Sequence, residues 1–399
     1  MEHKYSIPKE KIAQLESLLC EYDIDALLIV SREGSDQVLP FLIGEDSIHL
    51  AAAFFTKTGQ HVMLCSPSDE KKYEESGIFS AIKVYEKSLG ELLAKTLDEV
   101  SPKNLALNIS KDDSGADGLS YGLYLLIQDL VGKERLAEIE VSSEMIIREL
   151  RSIKTTTEIE RLRRAISITN DIFDEIFSSE IKCGMTEKEI ADLFINGLKR
   201  HGVTSGIGGS YDYPIVCIVR AGLAHRGPGD TASIPGDIVI IDFSVRCEGY
   251  VSDIARTAYF LIEGESEPPE DVQHAFQTAY DAITAAIEFI AVGKRGWEVD
   301  AVGRKVIEDG GYPTIRHSVG HPIGTQCHDS GTRLGPFKGE NESSNRPIKP
   351  FEVYAIEPTV IQDDGLPCML VEENVLVLPH GKEILSRRQE ELYLIPYSK

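Results

Sequence analysis

The chain has 399 residues, 42% hydrophobic and 27% charged, the make-up of a soluble globular protein too long for one hydrophobic core. Its 65 acidic residues against 41 basic ones give a formal net charge of −24, which argues against nucleic acid or an anionic membrane surface as partner. No apolar run approaches the roughly 20 residues that span a bilayer. The opening MEHKYSIPKEKIAQLESLL has no apolar signal core, and the seven cysteines are scattered without a CxxC pair. A cytoplasmic protein with reduced thiols is expected.

Along the chain, residues 9–22 read as an amphipathic helix, followed by strands at 25–31, 49–56 and 61–65. A helix near 88–100, a strand at 104–110 and a helix across 119–131 complete an α/β pattern with a mostly buried sheet. No phosphate loop or GxGxxG occurs in this part, which reads as a covering or substrate-shaping domain. A polar break at 152–156 marks the boundary, giving domains 1–153 and 154–399. The second domain reads as α+β. Helices to about 181 and at 186–201 precede strands at 214–220, 237–246 and 250–261. Helices at 270–292 and 298–309 then precede a histidine-rich loop and a second strand pair. Helices followed by a carboxylate-bearing hairpin occur twice, which hints at an internal duplication.

Those two hairpins carry the chemistry. Asp242 and Asp253 flank IDFSVRCEGYVSD symmetrically about Cys247–Glu248, and Glu357 and Glu372 flank EPTVIQDDGLPCMLVE about Asp364–Gly365. Turning at those midpoints would set each pair directly opposite on neighbouring strands. Like charges there destabilise a sheet, more so when buried. Cations that hold the four carboxylates together would remove the conflict. Between the hairpins, IRHSVGHPIGTQCHDSG supplies His317, His321 and His328; Gly320 and Pro322 exclude a helix and leave a loop or strand. His225 lies in AGLAHRGPGD, and Cys327 and Cys368, close in sequence to the site, read as buried structural cysteines.

The blocks IDFSVRCEGYVSDIARTAYF, HSVGHPIGTQCHDSG, AIEPTV and LVEENVLV resemble the signature blocks of the pita-bread metallopeptidases, the family of aminopeptidase P, prolidase and methionine aminopeptidase, with creatinase as a metal-free relative. IIRELRSIKTTTEIERLRRA and GMTEKEIADLF are similar to the start of its catalytic domain. The resemblance implies a pita-bread catalytic domain preceded by a smaller creatinase-type N-terminal domain. It further implies a dinuclear site in which Asp242 chelates one metal, Asp253 and Glu372 bridge both, and His321 with Glu357 completes the other. One imidazole among four carboxylates suits Mn²⁺, with Co²⁺, Fe²⁺ or Zn²⁺ as alternatives. Glu357 would shuttle the proton, His225 would contact the leaving-group side, His328 would help hold the carbonyl, and His317 would shape the pocket that accepts proline.

The implied activity is removal of the residue before proline, as in aminopeptidase P, from a peptide substrate and by a homodimer. A Xaa-Pro dipeptidase, a C–N hydrolase of a small molecule and an inactive binding protein are the alternatives. Three positions depart from the pattern. Leu370 stands where many relatives carry an arginine, Ile361 where a tyrosine is common, and Pro322 follows the metal histidine. Losing a bidentate carboxylate partner at 370 counts against a dipeptidase, unless Arg226, Arg333 or Arg346 compensates.

Overall fold

The computed structural model describes residues 4–221, 226–362 and 367–397. The chain divides into two compact units, Met1–Arg151 and Ser152–Lys399.

The first unit is built on a six-stranded sheet of β1 (Ala26–Ser31), β2 (Ala51–Thr56), β3 (Val62–Cys65), β4 (Ala81–Val84), β5 (Leu105–Leu107) and β6 (Glu140–Ser142), in the order β4-β3-β2-β1-β5-β6. β1 runs parallel to β5 and antiparallel to β2. Side chains alternate between two cores, as a pleated strand requires: Leu27, Ile29, Ala53 and Phe55 on one face, Leu28, Val30, Ala52 and Phe54 on the other. With both faces covered, the central strands read as continuous apolar runs, which made them legible. The short helices Val38–Ile43 and Glu70–Ser76 and the half-buried β4 carry too little periodicity and escaped the sequence reading.

The second unit opens with the helix Thr156–Ser179. Thr155 and Glu158 form a reciprocal capping box at its start, and Thr186 and Glu189 do the same for the helix Glu187–His201. Phe173 and Phe194, one from each helix, pack edge-on against each other and against Phe243, with centroids 4.9–5.9 Å apart. That aromatic cluster seats the strand ending in Asp242 and Phe243. Strands β7 (Thr204–Ser205), β8 (Ile215–Ile218), β9 (Ile238–Phe243), β10 (Val245–Cys247), β11 (Tyr250–Val251) and β12 (Ile254–Phe260) follow. After the helices Glu270–Phe289 and Gly296–Asp309 come β13 (Gly320–Pro322), β14 (Val353–Ile356), β15 (Thr359–Val360), β16 (Met369–Leu370), β17 (Glu373–Leu378), β18 (Gly381–Ile384) and β19 (Tyr393–Ile395). Two four-stranded sheets result, β19-β12-β9-β8 and β13-β14-β17-β18. Each half thus repeats two helices, a lead-in strand (β8 or β13) and a hairpin. No described helix is long and apolar enough to cross a membrane.

Candidate metal centre

The first hairpin departs from the register expected for it. Arg246 pairs with Val251 and Cys247 with Tyr250, and the same register sets Asp242 opposite Ala255. The turn therefore lies at Glu248–Gly249, one residue later than the midpoint of the two aspartates. Both turn residues have positive φ, +49° and +86°. A two-residue loop of that kind wants glycine second, so Gly249 and not the charge symmetry sets the register. Asp253 thus comes opposite Ser244 and diagonal to Asp242, still on the same face. It occupies the break between β11 and β12, where two continuous strands were expected to run on.

The second hairpin follows the expected register. Ile356 pairs with Glu373 and Thr359 with Leu370, so Glu357 and Glu372 lie directly opposite between them. Its expected midpoint, Asp364–Gly365, lies outside the described residues. The Glu372 amide donates to Ala255 O at 3.3 Å, joining the two hairpins beside Asp242.

His321 arrives on β13, a strand. Gly320 pairs with Ile356, and a Cβ there would stand 2.3 Å from Ala355 O, so only glycine lets the strands meet. The His321 Nδ1–H donates to Pro322 O at 3.2 Å, which turns Nε2 and its lone pair toward the carboxylates. Nε2 lies 3.5 Å from Asp253 Oδ2 and 3.7 Å from Glu357 Oε1. Asp253, His321 and Glu372 each offer a ligand atom, and these atoms lie within 4.8 Å of one another.

The electrostatics suit a cluster that binds cations. Burial, reinforced by the neighbouring carboxylates, pushes Asp242, Glu357 and Glu372 well above the usual carboxyl range. Burial also raises Asp253, although the Cys327 thiol and Ser244 hydroxyl donate to it at 2.8 and 2.7 Å and draw it back. Burial pushes the His321 imidazole down to about 4, leaving it neutral and able to ligate at neutral pH. Two buried and two half-buried carboxylates with one neutral imidazole fit divalent cations, whose charge would let all four ionise together.

Of the other histidines, the exposed His328 packs its ring 4.2 Å from that of His321. His317 is bonded to Ser318 O at 2.7 Å and Thr359 Oγ1 at 2.8 Å. His225 lies outside the described residues. Cys327 and Cys368 are both buried. Several supporting groups escaped the sequence reading. Asp300 accepts from the Val319 amide at 3.0 Å, and Arg304 donates to His317 O at 2.9 Å, fixing the histidine loop to the helix Gly296–Asp309. The signal for such groups was polar residues inside otherwise buried segments, such as Glu373 and Asn374 in LVEENVLV.

Arg226 forms a bidentate pair with the buried Glu187, so its guanidinium is engaged there. Arg333 donates to Ser318 Oγ at 2.6 Å, and its charge favours the ionised Glu357 and the neutral His321.

Known proteins share this architecture. The solved structure of an Xaa-Pro dipeptidase from Bacillus anthracis has a TM-score of 0.74 at 24% identity, covering 97% of this chain and 100% of its own. An X-Pro aminopeptidase from Thermotoga maritima MSB8 gives 0.72 at 24%, covering 96% and 99%. An uncharacterized peptidase of Bacillus subtilis, YqhT, is 26% identical over 308 residues, 77% of this chain and 80% of that protein. The fold is the pita-bread fold with a preceding N-terminal domain. The family model described as metallopeptidase family M24 matches residues 160–379, more than half of the chain, and the chain belongs to that family of metal-dependent peptide hydrolases.

Proposed function

We propose that this chain is a dinuclear-metal exopeptidase that hydrolyses the N-terminal Xaa-Pro bond of peptides, in the manner of an aminopeptidase P, as a cytoplasmic homodimer. The observation that carries the metal assignment is the buried convergence of Asp253 and Glu372 on the neutral His321 imidazole, with Nε2 3.5 Å from Asp253 and 3.7 Å from the half-buried Glu357. Asp242, Asp253, His321, Glu357 and Glu372 would hold two Mn²⁺ ions. When bound, the metals supply Lewis-acid polarisation of the scissile carbonyl and acidify a water.

The side chains do the rest. Glu357, 15% exposed where Asp253 is 6%, can exchange a proton with substrate, and it acts first as base and then as acid. His328, beside His321, donates to the carbonyl oxygen as charge develops there. His317 is held by Thr359 and borders the leaving-group side, with His225 assigned to the same side.

One observation favours a second reading, an Xaa-Pro dipeptidase. Arg333 lies at the edge of the site and bonds Ser318, where a guanidinium can receive a substrate carboxylate in place of the arginine replaced by Leu370. The deciding assay is metal-stripped protein, with and without Mn²⁺, on Ala-Pro-Ala, Ala-Pro and a proline-free tripeptide. Mn²⁺-dependent cleavage of Ala-Pro-Ala is the expected result. Cleavage of Ala-Pro alone transfers the assignment to the dipeptidase, and no cleavage of either removes proline peptides as substrates.

A further inference from the structure

A buried polar network lies behind the candidate metal centre and touches none of its ligating oxygens. Asn374, fully buried, holds both backbone groups of Asp253: its Nδ2 donates to Asp253 O at 2.5 Å and its Oδ1 accepts from Asp253 N at 3.2 Å. Arg256, 2% exposed, donates to Glu372 O at 2.7 Å and to Glu373 Oε2 at 3.2 Å. Each hairpin is thereby gripped by a side chain of the other. Asn374 of the second hairpin fixes the backbone of Asp253, and Arg256 of the first fixes that of Glu372.

The C-terminal segment Ser386–Gln389 closes the network. Ser386 Oγ accepts from Asn374 N at 2.9 Å and donates to Glu373. Arg387 O accepts from Arg256. Gln389 donates from its backbone to Glu373 Oε1 at 3.2 Å, and its amide bonds Thr257 N and O at 3.0 and 2.6 Å. These contacts also explain why Glu373, adjacent to Glu372, is no part of the cluster: its charge is spent on Arg256, Ser386 and Gln389. A network in which every member is bonded has one geometry, and that is what ligands drawn from different hairpins need.

We infer that Asn374 and Arg256, clamped by the segment Ser386–Gln389, are positioning residues that hold Asp253 and Glu372 at the spacing the metal ions require. The inference rests on the metal reading given above. It is tested by titrating metal-stripped native, Asn374→Ala and Ser386→Ala proteins with Mn²⁺ by calorimetry and with Co²⁺ by visible absorption, with Trp297 fluorescence as the check on folding. Asn374→Ala is expected to weaken Mn²⁺ binding about 10–100-fold and to alter the Co²⁺ spectrum, and Ser386→Ala to act in the same direction by a smaller factor. A purely structural role would lower unfolding resistance and leave Mn²⁺ affinity and the Co²⁺ spectrum of the folded protein unchanged. Folded variants that bind Mn²⁺ within about twofold of native, against the ~10-fold minimum for such outer partners, overturn the inference. Should Asn374→Ala fail to fold, Ser386→Ala decides alone. A native protein that binds neither ion removes the metal reading itself, and this inference with it.

Discussion

Stripping the cations with a chelator should make the catalytic unit lose stability as pH rises above the ordinary carboxyl range. Glu357 and Glu372 lie directly opposite across the second hairpin, and Asp242 and Asp253 lie diagonally in the first. A like-charged pair about 5 Å apart at an effective dielectric near 20 costs roughly 3 kcal/mol. The folded metal-free protein avoids that cost by keeping protons that the unfolded chain releases. A carboxyl whose pKa rises on folding contributes fully at low pH, and the contribution is lost as pH climbs from its unfolded to its folded value. His321 acts in the opposite sense: lowered from 6.5 to about 4, it costs stability between those values and is silent above them.

Above pH 6.5 the carboxyls therefore set the slope, about 1.4 kcal/mol per pH unit for each proton held. Each pH unit over which one such proton is retained therefore lowers stability by ~1.4 kcal/mol, a fall in Tm of about 3–6 °C for a unit of this size. Trp297 is the sole tryptophan and belongs to the unit Ser152–Lys399, so its fluorescence follows that unit alone. Urea denaturation of the stripped protein at several pH values should show the decline. Mn²⁺ should abolish it, and Glu357→Gln should reduce it. Stability of the stripped protein that stays flat or rises with pH, or a decline untouched by Glu357→Gln, would refute the reasoning.

Asp253→Ala and Glu372→Ala should each eliminate both metal binding and peptide turnover; metal content after dialysis against Mn²⁺ reads the first, and full activity in either variant contradicts the ligand assignment. Gly320→Ala should cost about 1–3 kcal/mol, since the added Cβ meets a backbone oxygen that only strand displacement can move; its urea midpoint by Trp297 fluorescence measures the loss. Glu187 is buried against Arg226 and also accepts from Gly229 N and Ile218 N at 2.7 and 2.8 Å. Burial opposes its ionisation, yet these partners hold it below the usual range, so its contribution is present above about 4.5 and lost as pH falls through the folded value. Glu187→Gln should cost about 2–3 kcal/mol at neutral pH, less than a fully buried pair because Arg226 is partly solvated, and the difference from native should shrink in acid denaturation series.

Much of this protein is written locally. The apolar runs of β1 and β2, the amphipathic helices and the paired acidic residues follow from periodicity and from the cost of burying like charges, which neighbouring residues alone express. The opposition of Glu357 and Glu372 was legible for the same reason. The first hairpin shows where charge symmetry misleads: backbone conformation at Glu248–Gly249 sets the turn one residue on, moving Asp253 from opposite Asp242 to opposite Ser244. Other features have no local signature. That Cys327 would reach Asp253, Arg256 the carbonyl of Glu372, and Asn374 both backbone groups of Asp253 depends on residues 74 to 121 positions apart meeting in one buried place. Sequence supplies the donor types and their order; only tertiary packing decides which donor faces which acceptor, because a hydrogen bond is set by a few tenths of an ångström that chain-local patterns do not encode.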